Sequence, residues 1–250
     1  MPQTIRTVAA HNSSTLSCAL LVLSVLLGAA LDRSLPLAVY LLSFWHYYFY
    51  WLAFAFGSIR FEVFKRDAVA MKTVSVVLLA TIYLTAPLDL LSLIVIAGGI
   101  VLNLWAAMVL GADRTYYGHE VAGLAPRRIT AFPYSLIGHP MIVGNVAAFG
   151  GTLINPAFRE PWWPLACLHV ALNIGLLVME LAGAHRRAVR VGGTFVFSGA
   201  MIGAAVAALG TGRVLTVPVA LAGLAVVTCA WTLYRCYTPP PEKETARRMS

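Results

Sequence analysis

Charged residues are scarce in this chain. They make up 11% of its 250 residues, and only 10 residues are acidic. Hydrophobic residues account for 60%. Since a soluble domain does not need so much apolar surface, the composition excludes an ordinary soluble globular protein and predicts a polytopic membrane protein.

Cysteine is equally sparse, and the four cysteines lie within or at the ends of apolar runs: Cys18, Cys167, Cys229 and Cys236. They have neither the paired spacing of a metal site nor the arrangement of a secreted disulfide framework, so we expect no metal. The first apolar run lacks a small-residue cleavage site, which predicts a retained span. No basic run is interleaved with aromatic residues, so nucleic-acid binding is not expected.

What the sequence has in quantity is long apolar segments. We predict an all-α membrane bundle of about eight transmembrane helices, forming a single integral domain over 1–250 with tails at 1–13 and 237–250. The segments are 14–30, 36–56, 68–85, 88–111, 140–153, 163–183, 193–209 and 214–233. The fifth is short for a span, and tilting or an N-terminal extension through 132–137 would compensate.

The basic residues indicate how the bundle is oriented. All Lys and Arg except Arg33, Arg159 and Arg213 fall in the N-terminal tail, in the even-numbered connections or in the C-terminal tail. By the positive-inside rule both termini are cytoplasmic, together with the loop 112–139. The net charge of +8 therefore comes mostly from basic residues that mark the cytoplasmic side, and we expect these residues also to attract anionic lipid headgroups.

The longest break in the apolar pattern is 115–151, and it contains His139-Pro140. Proline fits the first position of a helix, so we predict a helix that starts at Pro140. The free N–H groups of a helix start suit a carboxylate or phosphate. Gly144, one turn in, would let a ligand or another helix approach closely. A simple connecting loop is the alternative.

The sixth segment carries polar residues at helical spacing. His169, Asn173 and Glu180 share one face of a helix. A carboxylate at the edge of a bilayer is a candidate functional group, and we expect Glu180 to face the same pocket as His139. The alternative is that Glu180 pairs with Arg186 or Arg187. In the fourth segment, Asn103 needs a partner and should face the bundle.

Two stretches resemble a known family: Tyr116-Tyr117-Gly118, and 128–144 with its sequence RITAFPYSLIGHPMIVG. They are similar to the integral-membrane phospholipid N-methyltransferases of the phosphatidylethanolamine type, which are more distantly related to the isoprenylcysteine carboxyl methyltransferases. The resemblance covers 97–190, which would be the methyltransferase core.

The chain departs from the family pattern at three places. Ala97-Gly98-Gly99 stands where the family has G-x-G, Met179 replaces one member of a Glu pair, and Ile142 replaces a Tyr. Gly98 would lie roughly 18 Å from the cytoplasmic end of its helix, which is deep for contact with a polar cofactor.

The resemblance implies S-adenosyl-L-methionine as cofactor and a membrane lipid amine, arriving from the bilayer, as methyl acceptor. Catalysis would fall to Glu180 and His139 as proton acceptors. The implied cofactor-binding residues are Gly98, Gly99, Tyr117, Gly118, His139, Pro140, Gly144 and Glu180. The implied location is the endoplasmic reticulum membrane of a eukaryote or the inner membrane of a bacterium.

The sequence is also compatible with other functions. Within the same chemistry, the acceptor could be a prenylcysteine carboxylate or a thiol, and loss of one Glu also allows an inactive relative. A transporter or a membrane scaffold would be a different class. A transporter is disfavoured because no internal repeat with paired broken helices is present.

Overall fold

The computed structural model describes residues 43–44, 46–47, 61–119, 123–125, 127–182 and 189. Within these ranges all regular structure is helical and no strand is present, which confirms the predicted all-helical class for this part of the chain. The bounded helices are α1 (Phe61–Tyr83), α2 (Leu90–Leu110), α3 (Ala112–Thr115), α4 (Pro140–Thr152) and α5 (Pro156–Ala182).

Helix α2 has the polarity expected of a helix surrounded by lipid. Its buried positions are small or polar, whereas Leu104 is 57% exposed and Met108 is 75% exposed. The buried set is Ser92, Gly99, Asn103 and Ala106. Small residues at contacts and apolar residues outside are typical of helices that pack within a membrane.

Two of the described helices, α2 and α5, are long and apolar enough to cross a membrane. The number of eight spans and the cytoplasmic termini stay predictions. The expected spans at 14–30, 193–209 and 214–233 lie outside the described residues, as does most of 36–56.

Helices α2 and α4 approach each other at a pair of glycines. A Cβ placed on Gly99 would lie 2.5 Å from the carbonyl oxygen of Gly144, and one on Gly144 would lie 2.6 Å from that of Gly99. Next to them, Asn103 donates from Nδ2 to the carbonyl of Met141 at 2.9 Å. Asn103 therefore faces the bundle, as expected from the sequence, and the two backbones touch because neither glycine has a side chain.

Helix α4 begins at Pro140, which confirms the predicted start. The segment 132–136 is a turn and does not extend the helix. With 13 residues, α4 is about 20 Å long, which is shorter than the ~30 Å hydrocarbon core of a bilayer.

Helix α5 begins at Pro156, earlier than the predicted residue 163. Asn155 caps this start, because its Oδ1 accepts from the backbone N–H of Ala157 at 3.1 Å and of Phe158 at 3.4 Å. Two prolines inside the first turns, Pro161 and Pro164, weaken the helical signal there, so the apolar pattern alone placed the start too late.

A buried polar cluster ties four helix ends together. The hydroxyl of Tyr83 donates to Ser92 Oγ at 2.7 Å, and Ser92 Oγ donates to the carbonyl of Gly151 at 2.7 Å. Asn155 donates to the carbonyl of Pro87 at 2.8 Å. The end of α1, the start of α2, the end of α4 and the start of α5 thus meet at one end of the bundle. Their opposite ends meet at the other, where the long loop lies.

Candidate functional site

A cavity of about 390 Å³ opens at the loop end of the bundle. It is bounded by α1, by the end of α2, by the loop after α3, by the start of α4 and by the last turns of α5. Its lining residues are His46, Tyr47, Lys72, Leu110, Arg114, Thr115, Tyr116, Tyr117, His119, Arg127, Tyr134, Gly138, His139, Pro140, Met141, Ile142, Asn145, Asn173, Leu176 and Glu180.

The structure brings His139 and Glu180 together on the wall of this cavity. Nδ1 of His139 lies 3.5 Å from Oε2 of Glu180, and their side chains are 40% and 26% exposed. His139 is the N-cap residue of α4, but its side chain makes no capping hydrogen bond. It is directed instead to the last turns of α5. The pair is an ion pair when the imidazole is protonated, and either group can accept a proton from a bound ligand.

The start of α4 adds positive partial charge to the same wall. The carbonyl of His139 accepts from the N–H groups of Ile142 and Val143, both at 3.1 Å, and Pro140 has no N–H to offer. These bonds leave few backbone N–H groups for a ligand, so it is mainly the helix dipole that favours an anion at this end. Glu180 favours a cation on the neighbouring wall. The cavity therefore suits a ligand that carries charges of both signs.

Two tyrosines line the cavity as neutral hydrogen-bonding groups. Burial raises the pKa of the Tyr134 hydroxyl, and the negative charge of Glu180 raises that pKa further. Burial also raises the pKa of Tyr116. Both hydroxyls stay protonated near neutral pH and can donate to a ligand. Between them in the loop, Tyr117 adopts a φ of +60°, a left-handed conformation that is uncommon for a residue with a side chain.

The predicted site residues fall into two groups. Tyr117, His139, Pro140 and Glu180 line the cavity. The four glycines, Gly98, Gly99, Gly118 and Gly144, are not among the lining residues.

The four glycines lie at other places in the fold than the cavity lining. The close approach at Gly99 and Gly144 is between α2 and α4. Gly118 packs in the loop, where an added Cβ would meet the carbonyl oxygen of Asp113 at 2.5 Å, and Gly98 faces open space. The role of the glycines in cofactor binding stays a prediction, and the geometry gives three of them a packing role.

A ladder of amide side chains lies beneath the cavity and connects three helices. Asn103 donates to Asn145 Oδ1 at 2.9 Å, and Asn145 donates to Asn173 Oδ1 at 3.0 Å. Asn173 then donates to the hydroxyl of Tyr47 at 2.8 Å. Asn145 and Asn173 also line the cavity. The ladder fixes α4 between α2 and α5, and so holds the start of α4 against Glu180.

Sequence reasoning overlooked Lys72, Tyr134 and Asn145 as cavity residues. Lys72 and Asn145 each had a usable signal, because a charged or amide side chain within an apolar helix is unusual. Tyr134 lies within the motif that carried the resemblance. Only the fold shows that these three chain-distant residues share one cavity.

Comparison with protein families places the site in a known context. Residues 88–182 match the family model described as phospholipid methyltransferase. Neither a curated protein nor a solved structure matches the chain. The matched segment runs from the residue before Asp89 through α2, the loop and α4 to the end of α5, so it contains both His139 and Glu180. The family implies methyl transfer, with S-adenosylmethionine as the general donor. The family whose model matches residues 88–182 is the one that the sequence motifs resemble.

Proposed function

We propose that the chain is an S-adenosylmethionine-dependent N-methyltransferase that converts phosphatidylethanolamine, or its monomethyl and dimethyl derivatives, toward phosphatidylcholine. The observation that carries the proposal is the Glu180–His139 pair beside the start of α4, within the segment that matches the family. Methyl transfer to an amine needs a proton acceptor and a carboxylate that stabilises positive charge, and this pair supplies both.

The residues of the cavity fit this methyl donor. The carboxylate of S-adenosylmethionine is complementary in charge to the start of α4, and its cationic groups are complementary in charge to Glu180. A volume of about 390 Å³ is within the range of roughly 300–1,000 Å³ that small-molecule sites occupy. When bound, the donor supplies an electrophilic methyl group on a positively charged sulfur.

The chain's own residues have four tasks in such a reaction. Glu180 or His139 takes the proton that the lipid ammonium must lose before its nitrogen can attack. The carboxylate of Glu180 also stabilises positive charge at the site. The Tyr134 hydroxyl donates a hydrogen bond, and the walls of the cavity align the reactants and exclude water, which supports an in-line displacement.

The charge at the site supports an amine over the other acceptors. A prenylcysteine carboxylate would have to bind next to the carboxylate of Glu180, and two like charges at close range repel each other. A thiol is neutral until it gives its own S–H proton to Glu180 or His139, so it is free of this penalty and is the second candidate. An inactive relative is the third, because Met179 stands where the family carries a second Glu.

We further propose that the chain is a multi-pass membrane protein of eight spans, with both termini and the loop 112–139 in the cytoplasm. The apolar helices α2 and α5 and the distribution of basic residues support this topology. The donor then enters the cavity from the cytoplasm, and the lipid enters from the bilayer.

Lipid analysis tests the proposed function. Cells that express the chain and receive labelled methionine should accumulate label in methylated phosphatidylethanolamine, resolved by thin-layer chromatography. Cells that carry the empty vector are the control, and cells that express Glu180→Gln at the same level show whether the label depends on Glu180. Label in a protein or a small thiol instead of lipid would select one of the other acceptors. No label above the control would indicate an inactive relative.

A further inference from the structure

Lys72 is a cation that the proposed reaction does not use. It lies in α1, before the matched segment 88–182, and lines the cavity that contains Glu180. Its neighbours on α1, Ala68 and Met71, are fully buried. A charged side chain within an apolar helix is costly to insert and by default indicates a function that needs the charge.

A comparison with Lys65 shows what Lys72 lacks. Lys65 stands seven residues earlier on the same face of α1, and its Nζ lies 2.8 Å from both Glu62 and Asp113. Within the described ranges, Lys72 makes neither an ion pair nor a hydrogen bond, and the carboxylate of Glu180 pairs with His139. Since Lys72 lines the cavity, a ligand bound there can supply an anion that matches it.

The depth of Lys72 indicates which ligand. The Lys65–Asp113 pair marks the mouth, since Asp113 follows directly after α2, and Lys72 lies about two turns or ~10 Å further into the bundle. Glu180 is in the last turn of α5 and contacts His139 at the start of α4, near the mouth. Going outward from the bilayer, a phospholipid presents its acyl chains, then its phosphate, then its amine. In the cavity, Lys72 lies deeper in the bundle and Glu180 lies nearer the mouth, so their charges are opposite to those of the phosphate and the amine in the same order.

We propose that Lys72 binds the phosphate of the lipid methyl acceptor, so that the cavity recognises a phosphodiester lipid by its phosphate as well as by its amine. Arg114 and Arg127 line the cavity too, which adds to the attraction for an anionic group. The identity of the amine rests on the proposed function. The recognition of phosphate does not, and it can be measured without catalysis.

The first test is lipid binding to delipidated, purified protein, measured by native mass spectrometry without cofactor. The wild type should bind phosphatidylethanolamine in preference to diacylglycerol, which has the same chains and no phosphate. In Lys72→Met the ratio of the two affinities should fall at least about tenfold, because a charge-assisted contact is removed. Lys72→Arg should retain it, and Lys65→Met is the matched control that should bind as the wild type does.

Three results would overturn the proposal. Equal binding of diacylglycerol and phosphatidylethanolamine by the wild type would do so without any variant. Tighter binding of inorganic phosphate than of phosphatidylethanolamine would indicate a site for free anions instead. The third is a weaker affinity of Lys72→Met for S-adenosylmethionine, by calorimetry, with unchanged lipid binding, because Lys72 would then serve the carboxylate of the donor.

The outcome is separable from that of the proposed function. If the wild type transfers no methyl group but prefers phosphatidylethanolamine in a Lys72-dependent way, the methyltransferase proposal fails and the phosphate site stands. If methyl transfer to lipid occurs and the KM for lipid is the same in Lys72→Met, the phosphate site fails alone.

Discussion

Glu180 is the single residue on which the chemistry depends most. It lies 3.5 Å from His139 on the wall of the cavity, and its side chain is 26% exposed. Glu180→Gln keeps the size and hydrogen-bonding capacity but removes the charge and the basicity. We predict a loss of at least ~100-fold in methyl-transfer turnover, the scale of a lost acid–base group. Glu160→Gln, an exposed carboxylate at the other end of α5, should leave turnover unchanged.

Thermal stability of the same two variants separates catalysis from folding. A partly exposed ion pair is worth at most about 1 kcal/mol, so Glu180→Gln should unfold close to the wild-type temperature. Near-normal turnover in Glu180→Gln would remove it from the catalytic step, and His139 would be the next residue to replace.

Tyr134 gives a prediction about pH. Its pKa is raised by burial and by the charge of Glu180, so its hydroxyl stays protonated until the pH exceeds the ordinary tyrosine value of about 10. The pH profile of kcat/KM for Tyr134→Phe should therefore keep the wild-type shape between about pH 6 and pH 9, with a lower amplitude. If an ionisation seen in the wild type disappears in Tyr134→Phe, the tyrosine itself titrates in the reaction.

Helix packing gives a prediction with an internal control, because Gly98 and Gly99 are neighbours with opposite surroundings. A Cβ on Gly99 would lie 2.5 Å from the backbone of α4, whereas one on Gly98 meets nothing within 4 Å. Gly99→Ala should destabilise the protein by about 1–3 kcal/mol, because the helices must separate. Gly98→Ala should be neutral or slightly stabilising, since alanine favours a helix. Thermal unfolding in detergent measures both, and equal stabilities would mean that α2 and α4 do not touch here.

The same two helices show what the sequence could and could not predict. The bounds of α2 and the start of α4 follow from local signals, namely an apolar run and a proline. An amide within an apolar helix indicates that Asn103 needs a partner but does not identify that partner. The position of Gly144 was undecided between a ligand and a helix, because a glycine leaves space without indicating what fills it. The contact with Gly99, distant in sequence, shows that a helix lies there, and a role of Gly144 in cofactor binding stays a prediction.

Part of the cavity could also be predicted from the sequence. His139 and Glu180 were expected to meet because topology places both near one membrane face and each is unusual in its segment. Lys72 and Tyr134 were overlooked as lining residues because their contribution depends on how α1 and the loop pack onto the core. Such packing depends on pairwise contacts between distant segments, which no local pattern encodes.

The whole molecule gives a prediction about orientation. If both termini and the loop are cytoplasmic, single cysteines at Ser135 and Ser250 in a cysteine-free background should react with an impermeant maleimide only from the cytoplasmic side. A cysteine at Glu160, which is exposed at the opposite end of the bundle, should react only from the other side. Labelling of Ser250 and Ser135 from opposite sides would show that the number of spans after α5 is not the predicted one.

The most direct test of the central claim uses the purified full-length chain in nanodiscs. Phosphatidylethanolamine is the lipid acceptor, and S-adenosylmethionine carries a tritiated methyl group. We predict that tritium appears in monomethyl, dimethyl or trimethyl phosphatidylethanolamine with the wild type and is reduced at least ~100-fold with Glu180→Gln. A wild-type protein that binds the donor but leaves all the lipid unlabelled would contradict the account.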